Sequence, residues 1–327
     1  MEGPHRQLTS SFIGQRLKHA IAKQPTQSAS QLEDYISMIF EYNVDYGKAR
    51  RAKQMSLKMV YGDWEESYGL LPKQLQAMKA RNPGMVYEVE GYPDKTSEGW
   101  DRRFTVFRRS FWAFGASIEA YRHCKPVLSV DGTFLSGKVR GVLLVAITCD
   151  ADNQLVPLAF GLVEREDNSN WEWFLTLLRV HVLGADRSPC TISDRHPGII
   201  NTVHVQLEGY PDVIHRWCMR HFIQNFYSQV KNKDDTDALK LVCCEFEPFM
   251  FQQRLNHFLK FVSNDGTEFI QTHLPLKEKW ARAFDVGGVR YGHMTSNMTN
   301  RDRARSLLAV GIATNAHISP GSKPDRD

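Results

Sequence analysis

Two aspartates, each closing an apolar run, are the residues of this chain best suited to do chemistry. Asp131 ends the run Pro126-Val-Leu-Ser-Val, and Asp194 ends Cys190-Thr-Ile-Ser. Short apolar runs of this kind predict buried strands. Acids at the ends of neighbouring strands can hold divalent metal ions for phosphoryl transfer. Two such carboxylates repel each other, and binding Mg2+ relieves the repulsion. The competing explanation is that each Asp merely leaves its strand and starts a turn, as Asp often does. Glu164, Glu166 and Asp167 follow a later strand and could approach the pair, although a solvated strand-to-helix loop is the commoner origin of such a cluster.

A second constellation is His215-Arg-Trp-Cys218-Met-Arg-His221. Cys218 and His221 are zinc-ligand types one helical turn apart, and His215 adds a third. A structural zinc site needs about four ligands, and no second pair follows at a usual spacing. Cys243, Cys244 and His257 could join only by folding back, so packing and local hydrogen bonding are favoured over zinc. Arg216, Trp217 and Arg220 suit a nucleic-acid-facing surface through stacking and phosphate contact. Lys48, Arg50 and Arg51, with Lys53 and Lys58, load one predicted helix with positive charge that could neutralise DNA phosphates. A solvated face is the plainer alternative. The chain carries no P-loop, dinucleotide fingerprint or nucleophile elbow, which weakens NTPase, dehydrogenase and hydrolase assignments.

These residues need elements to position them. At 327 residues, with 42% hydrophobic and 24% charged side chains, the chain is expected to fold as two globular units. A net charge of +4 tolerates a nucleic-acid partner without requiring one. The six cysteines are scattered through apolar runs, which favours a reducing compartment. No run approaches the roughly 18 residues of a membrane helix, so no membrane partner is expected.

Residues 1–27, basic and rich in Ser and Gln, are expected to be a disordered lead-in. A helical N-terminal unit is expected over 28–84, opened by a capping box at Ser30-x-x-Glu33. Helices are predicted there over about 45–60 and 64–79, the second interrupted by Pro72. Residues 85–125 are read as a connecting segment. It has weak strands at 85–89 and 104–107, a polar loop at 94–99, and a short helix capped by Ser110 that runs through Phe111, Phe114, Ile118 and Tyr121. From Pro126 the order is strand, strand, strand, helix, strand, helix, strand, helices. Pro157 marks a bulge or edge in the third strand. Ser169-x-x-Glu172 opens a helix with Trp171, Phe174, Leu175 and Leu178 on its buried stripe. Pro197 starts the next helix, with Ile200, Val203 and Leu207 facing inward. A meander feeding alternating units is the order of an RNase H-like α/β fold, in which the first and fourth strands are neighbours.

Taken in order, several motifs resemble those of the plant Mutator-like element (MULE) transposases and their domesticated far-red-impaired relatives. They are Ser129-Val-Asp131-Gly-Thr-Phe-Leu, Gly141-Val-Leu-Leu-Val-Ala, Asp152-x-Gln154-Leu-x-Pro157-Leu-Ala-Phe-Gly, Asn170-Trp-Glu-Trp-Phe, Ile192-Ser-Asp194-Arg-His-Pro-Gly-Ile, Cys218-Met-Arg-His221 and Tyr291-Gly-His-Met-Thr-Ser-Asn297. The resemblance implies an RNase H-like transposase domain over 126–300, a helical insertion over about 216–290, and Mg2+-dependent cleavage and transfer of DNA strands in the nucleus. It matches Asp131 and Asp194 to the first two acids of the catalytic triad, and Cys218 and His221 to the family's insertion motif. The implied partner is double-stranded DNA, either transposon terminal repeats or promoter sequence, with a homo-oligomer as a further option. The sequence departs from the family at the third acid. Asn300 stands where the resemblance places Glu, and Asp302 lies about 200° further round a helix. Impaired catalysis in a truncated chain is therefore expected, with a non-catalytic DNA-binding regulator as the alternative. Residues 301–327 are expected to be a disordered tail.

Overall fold

The computed structural model describes residues 8–24, 27–62, 64–96, 99–135 and 141–296. The expectations for Asn300 and for the 301–327 tail lie outside these residues. The chain divides into two compact units, Met1–Gln74 and Leu75–Asp327.

In the first unit, α1 (Ser10–Lys23) corrects the disordered lead-in. Ile13, Leu17 and Ile21 recur every fourth residue and are fully buried with Leu32, Ile36, Ala49 and Ala52. The stripe is short and its other faces are polar, so composition conceals it. Burying each such side chain is worth about 1.5–3 kcal/mol. The Phe12 N–H donates to Thr9 Oγ1, which caps the helix. Gly14 permits close approach: a Cβ there would stand 2.9 Å from the Ala52 carbonyl oxygen. The Ser56 hydroxyl also donates to the Gly14 carbonyl at 2.6 Å. Next come α2 (Ala29–Phe40) and α3 (Tyr46–Tyr61). The capping box is formed by Ser28 and Gln31 rather than by Ser30 and Glu33. Helix α4 (Trp64–Arg81) accommodates Pro72 in its interior.

The second unit is built on a seven-stranded sheet of β1 (Val86–Thr96), β2 (Gly99–Ala113), β3 (Val127–Phe134), β4 (Val142–Cys149), β5 (Leu155–Val163), β6 (Cys190–Ser193) and β7 (Ile214–Trp217). Their spatial order is β1-β2-β5-β4-β3-β6-β7. The run β5-β4-β3 is antiparallel, while β3-β6 and β6-β7 are parallel. This mixed sheet is compatible with an RNase H-like core.

Residues 85–125 prove to be part of the sheet, not a connector. β1 and β2 form a long antiparallel pair, and β2 docks on β5. Ser110 and Phe111 lie in β2, so the following helix, α5 (Gly115–Tyr121), starts later than expected. The aromatic spacing there imitates a helix, but Phe111 joins the sheet core instead. The charges of this hairpin pair across strands: Glu90 faces Arg109 in register, with a contact of 2.7 Å.

Helix α6 (Asn168–Leu178) buries Trp171, Phe174, Leu175 and Leu178 as its stripe requires, although its cap is Asp167 rather than Ser169. In α7 (Pro197–Thr202) Gly198, Ile199 and Thr202 are buried and Ile200 is exposed, while Val203 just beyond it is buried as expected. Pro157 accompanies a bulge opposite Ala146 and Ile147, well inside the sheet. After β7 come α8 (Met219–Val230), α9 (Lys233–Cys244), α10 (Pro248–Phe258) and α11 (Asn264–His273). They enclose a separate aromatic core of Phe222, Phe226, Phe251, Phe269 and Trp280.

Candidate functional site

The parallel ladder between β3 and β6 pairs Val127 with Cys190, Leu128 with Thr191 and Ser129 with Ile192. The same offset continued two residues brings Asp131 level with Asp194. Adjacent strands run about 4.8 Å apart, so the two acids lie side by side on neighbouring strands: Asp194 follows the end of β6, whereas Asp131 sits inside β3, which continues to Phe134 in pairing with β4, and not at a strand end as expected. Both are half-buried. Asp194 is fixed by its own turn, its Oδ1 accepting the His196 N–H at 2.9 Å. Below it, Ser193 Oγ lies 2.8 Å from His215 Nε2, tying β6 to β7.

A third carboxylate stands close by. The Glu166 side chain is only 10% exposed. Trp171 Nε1 donates to its Oε1 at 3.1 Å, and His196 Nδ1 lies 3.7 Å from the same oxygen. Its pKa is raised, chiefly by burial and further by the charges of Asp194 and Asp131, while His196 and Trp171 act the other way. The sequence made this residue part of a solvated cluster. In fact only Glu164 is exposed, and Asp167 caps α6. The available sequence signal was the Trp five residues later, whose indole N–H needs a buried acceptor.

Cys218 caps α8 and is fully buried, with the Ser296 N–H and hydroxyl both donating to its sulfur at 3.2 Å. Burial alone would push this thiol up. His221 and the two Ser296 donors outweigh it and bring the pKa down to about 7. His221 is raised first by the adjacent Cys218, against its own burial, and then by Asp131 and Asp194, so it lies in range of the acid pair. Its buried Nδ1 has no hydrogen-bond partner of ordinary geometry among the described residues. The Met219 N–H donates to the Met294 carbonyl at 2.8 Å, and His293 Nε2 lies 3.2 Å from Cys149 Sγ. Met294 and Ser296 are thereby brought to the start of α8, whereas His293 reaches the end of β4 that lies level with the start of β3.

Arg216 does not form the expected nucleic-acid surface. Its side chain is 11% exposed and turns toward Asp285 at 3.9 Å. Arg220 is exposed and lies 3.2 Å from His221 Nε2. Arg50 and Arg51 are exposed on α3, and Lys48 is partly so.

The carboxylate donors suit a hard divalent cation, which prefers oxygen ligands. Gly132 supplies the bare backbone that allows a third acid to come near. Yet among the described residues no three His, Cys, Asp or Glu side chains converge closely enough to hold an ion. The donor set therefore has the right chemistry but is incomplete. Cys218 and His221 likewise gain no third zinc ligand among these residues.

Residues 127–225, which carry both aspartates, Glu166, Cys218 and His221, match the family model of the MULE transposase domain. No curated protein matches the chain. Among the described residues no helix is long and apolar enough to cross a membrane.

Proposed function

We infer that this MULE-type transposase-related chain binds double-stranded DNA and uses Asp131 and Asp194 as the paired acids of a strand-cleaving and strand-transferring centre. The observation that carries this reading is the parallel register that levels the two acids inside the matched segment. Asp131 and Asp194 would hold a divalent cation of the Mg2+ type. When bound, such a cation supplies Lewis-acid stabilisation to a reacting phosphoryl group. The protein's own part is to fix the acids: Asp194 by its turn with His196, and Asp131 by its place in the ladder. His221 and the exposed Arg220 offer positive charge beside them for a phosphate backbone.

Asn300 is neutral where the family resemblance expects the third acid, so catalysis is impaired on this reading. The decisive assay is divalent-metal-dependent cleavage of terminal-repeat duplex. The unmodified chain is expected to cut weakly or not at all, and Asn300→Glu to raise cleavage. Asp131→Asn in that background should abolish it. Robust cutting by the unmodified chain would overturn the impairment, and cutting indifferent to Asp131→Asn would overturn the centre. The exposed basic residues of α3 favour a second reading, a nuclear DNA-binding regulator without catalysis. Salt-dependent duplex binding that survives Asp131→Ala, with no cleavage by either variant, would select it.

A further inference from the structure

We propose that a hydrogen bond from Arg195 to His273 latches the turn after β6 to the helices that follow β7, and that the latch opens when His273 takes up a proton. The device does not depend on what Asp131 and Asp194 bind.

Arg195 follows Asp194 directly, yet its side chain reaches away from the acid to the helical insertion. Its guanidinium lies over the rings of Trp217, Phe222 and Phe269, at 5.2, 5.5 and 5.7 Å. The Asn225 amide, oriented with its oxygen toward the guanidinium, accepts from Nη2 at 2.6 Å and from Nε at 3.3 Å. Nη1 donates to His273 Nε2. Burial lowers the pKa of Arg195, and no acid among the described residues offsets that effect. The cation is therefore held by aromatic rings and two neutral acceptors.

His273 can be one of those acceptors only while it is neutral. Its Nδ1 lies 2.6 Å from the Phe269 carbonyl oxygen. A carbonyl only accepts, so Nδ1 carries the ring proton and Nε2 keeps the lone pair that Arg195 uses. A second proton would occupy that lone pair and set an imidazolium against a guanidinium that has no counter-charge. The other surroundings do not relieve this. Trp217, Phe222 and Phe269 pack around the ring and carry no charge. Trp280 reaches only the His273 backbone carbonyl. Asp265 and Glu268, on the same helix, line the groove beside the ring. Burial lowers the pKa of His273 below 6.5, Arg195 lowers it further, and the Phe269 carbonyl acts the other way. A free ring binds its proton near 6.5, so the latch is fully closed above that pH and is lost as pH falls through the lower folded value. Opening acts on the turn itself. Asp194 Oδ1 holds the His196 N–H and His196 Nδ1 holds the Gly198 N–H, so Arg195 sits within the bonds that shape the start of α7.

The test is hydrogen exchange of the full chain, read by mass spectrometry at pH 7, 6 and 5 and corrected for intrinsic rates. Protection over residues 194–202 is expected to fall, by up to about tenfold per pH unit below the folded pKa of His273. Protection of β4 should hold. His273→Gln offers an acceptor near the place of Nε2 and takes up no proton, so its protection over 194–202 should not fall with pH, whatever its level at pH 7. Arg195→Met keeps the apolar stem and should be poorly protected there at every pH; it decides the matter if His273→Gln does not fold. A fall that persists in either variant would belong to another group, such as His196 in the same turn, and overturns the proposal. So does constant protection in the unmodified chain, or a fall that β4 shares equally.

Discussion

Burial strongly perturbs a side chain that supports the candidate site without belonging to it. His215 is held by Ser193 and lies edge-on to His204. Its burial, reinforced by the positive charges of Lys279, His204, Arg216 and Arg290, lowers its pKa from 6.5 to about 3. Between those values the unfolded chain binds a proton that the folded chain refuses. Stability from this group is therefore complete above pH 6.5 and is lost as pH falls toward 3. Chemical denaturation at pH 7 and pH 5 should show a drop in unfolding free energy, smaller in His215→Gln. Equal drops in the two proteins would assign the effect to other groups. Arg195, next to Asp194, shows what residue type alone leaves open. Its guanidinium packs over the rings of Trp217, Phe222 and Phe269 at 5.2, 5.5 and 5.7 Å, tying the turn after β6 to the insertion helices.

The insertion helices stand on a core of their own, centred on the Phe222–Trp280 stack at 4.9 Å and 12°. Trp280 is fully buried, and its Nε1 donates to the His273 carbonyl at 2.9 Å. Trp280→Ala should cost about 3–5 kcal/mol, read from urea midpoints. A loss under 1 kcal/mol would mean that this core does not stabilise the unit. At the start of α5 a different constraint operates. A Cβ on Gly115 would meet the Pro83 carbonyl oxygen at 1.9 Å, where Gly84 turns the chain with φ of +77°. Gly115→Ala should destabilise by about 1–3 kcal/mol through overpacking, and an unchanged midpoint would refute this close approach. Elements with clean periodicity were legible from sequence: α6 by its four-residue stripe, and β4 by its unbroken apolar run. The β1–β2 hairpin was not, because its charged residues find partners only across strands, as Glu90 and Arg109 do.

For the molecule as a whole, the mild net charge of +4 says little, and the placement of charge says more. Arg50 and Arg51 are exposed on α3 and Lys48 partly so, whereas Arg216 is spent on Asp285. If the three α3 cations meet phosphates, replacing them all with Ala should lower the slope of log affinity against log salt by about 2.7, measured on duplex DNA. Arg216→Ala should leave that slope unchanged. An unchanged slope in the triple variant would mean that α3 only faces solvent. The order of elements from β3 onward and the helices after β7 followed from the sequence, because apolar periodicity and turn chemistry are local; Asp131 proved to lie inside β3 rather than at its end. The approach of Glu166 to Gly132, the burial of α1, the inward turn of Arg216 and the clasp of Ser296 on Cys218 were decided by tertiary structure. Each depends on distances between segments far apart in the chain, and those distances are set by which faces pack together.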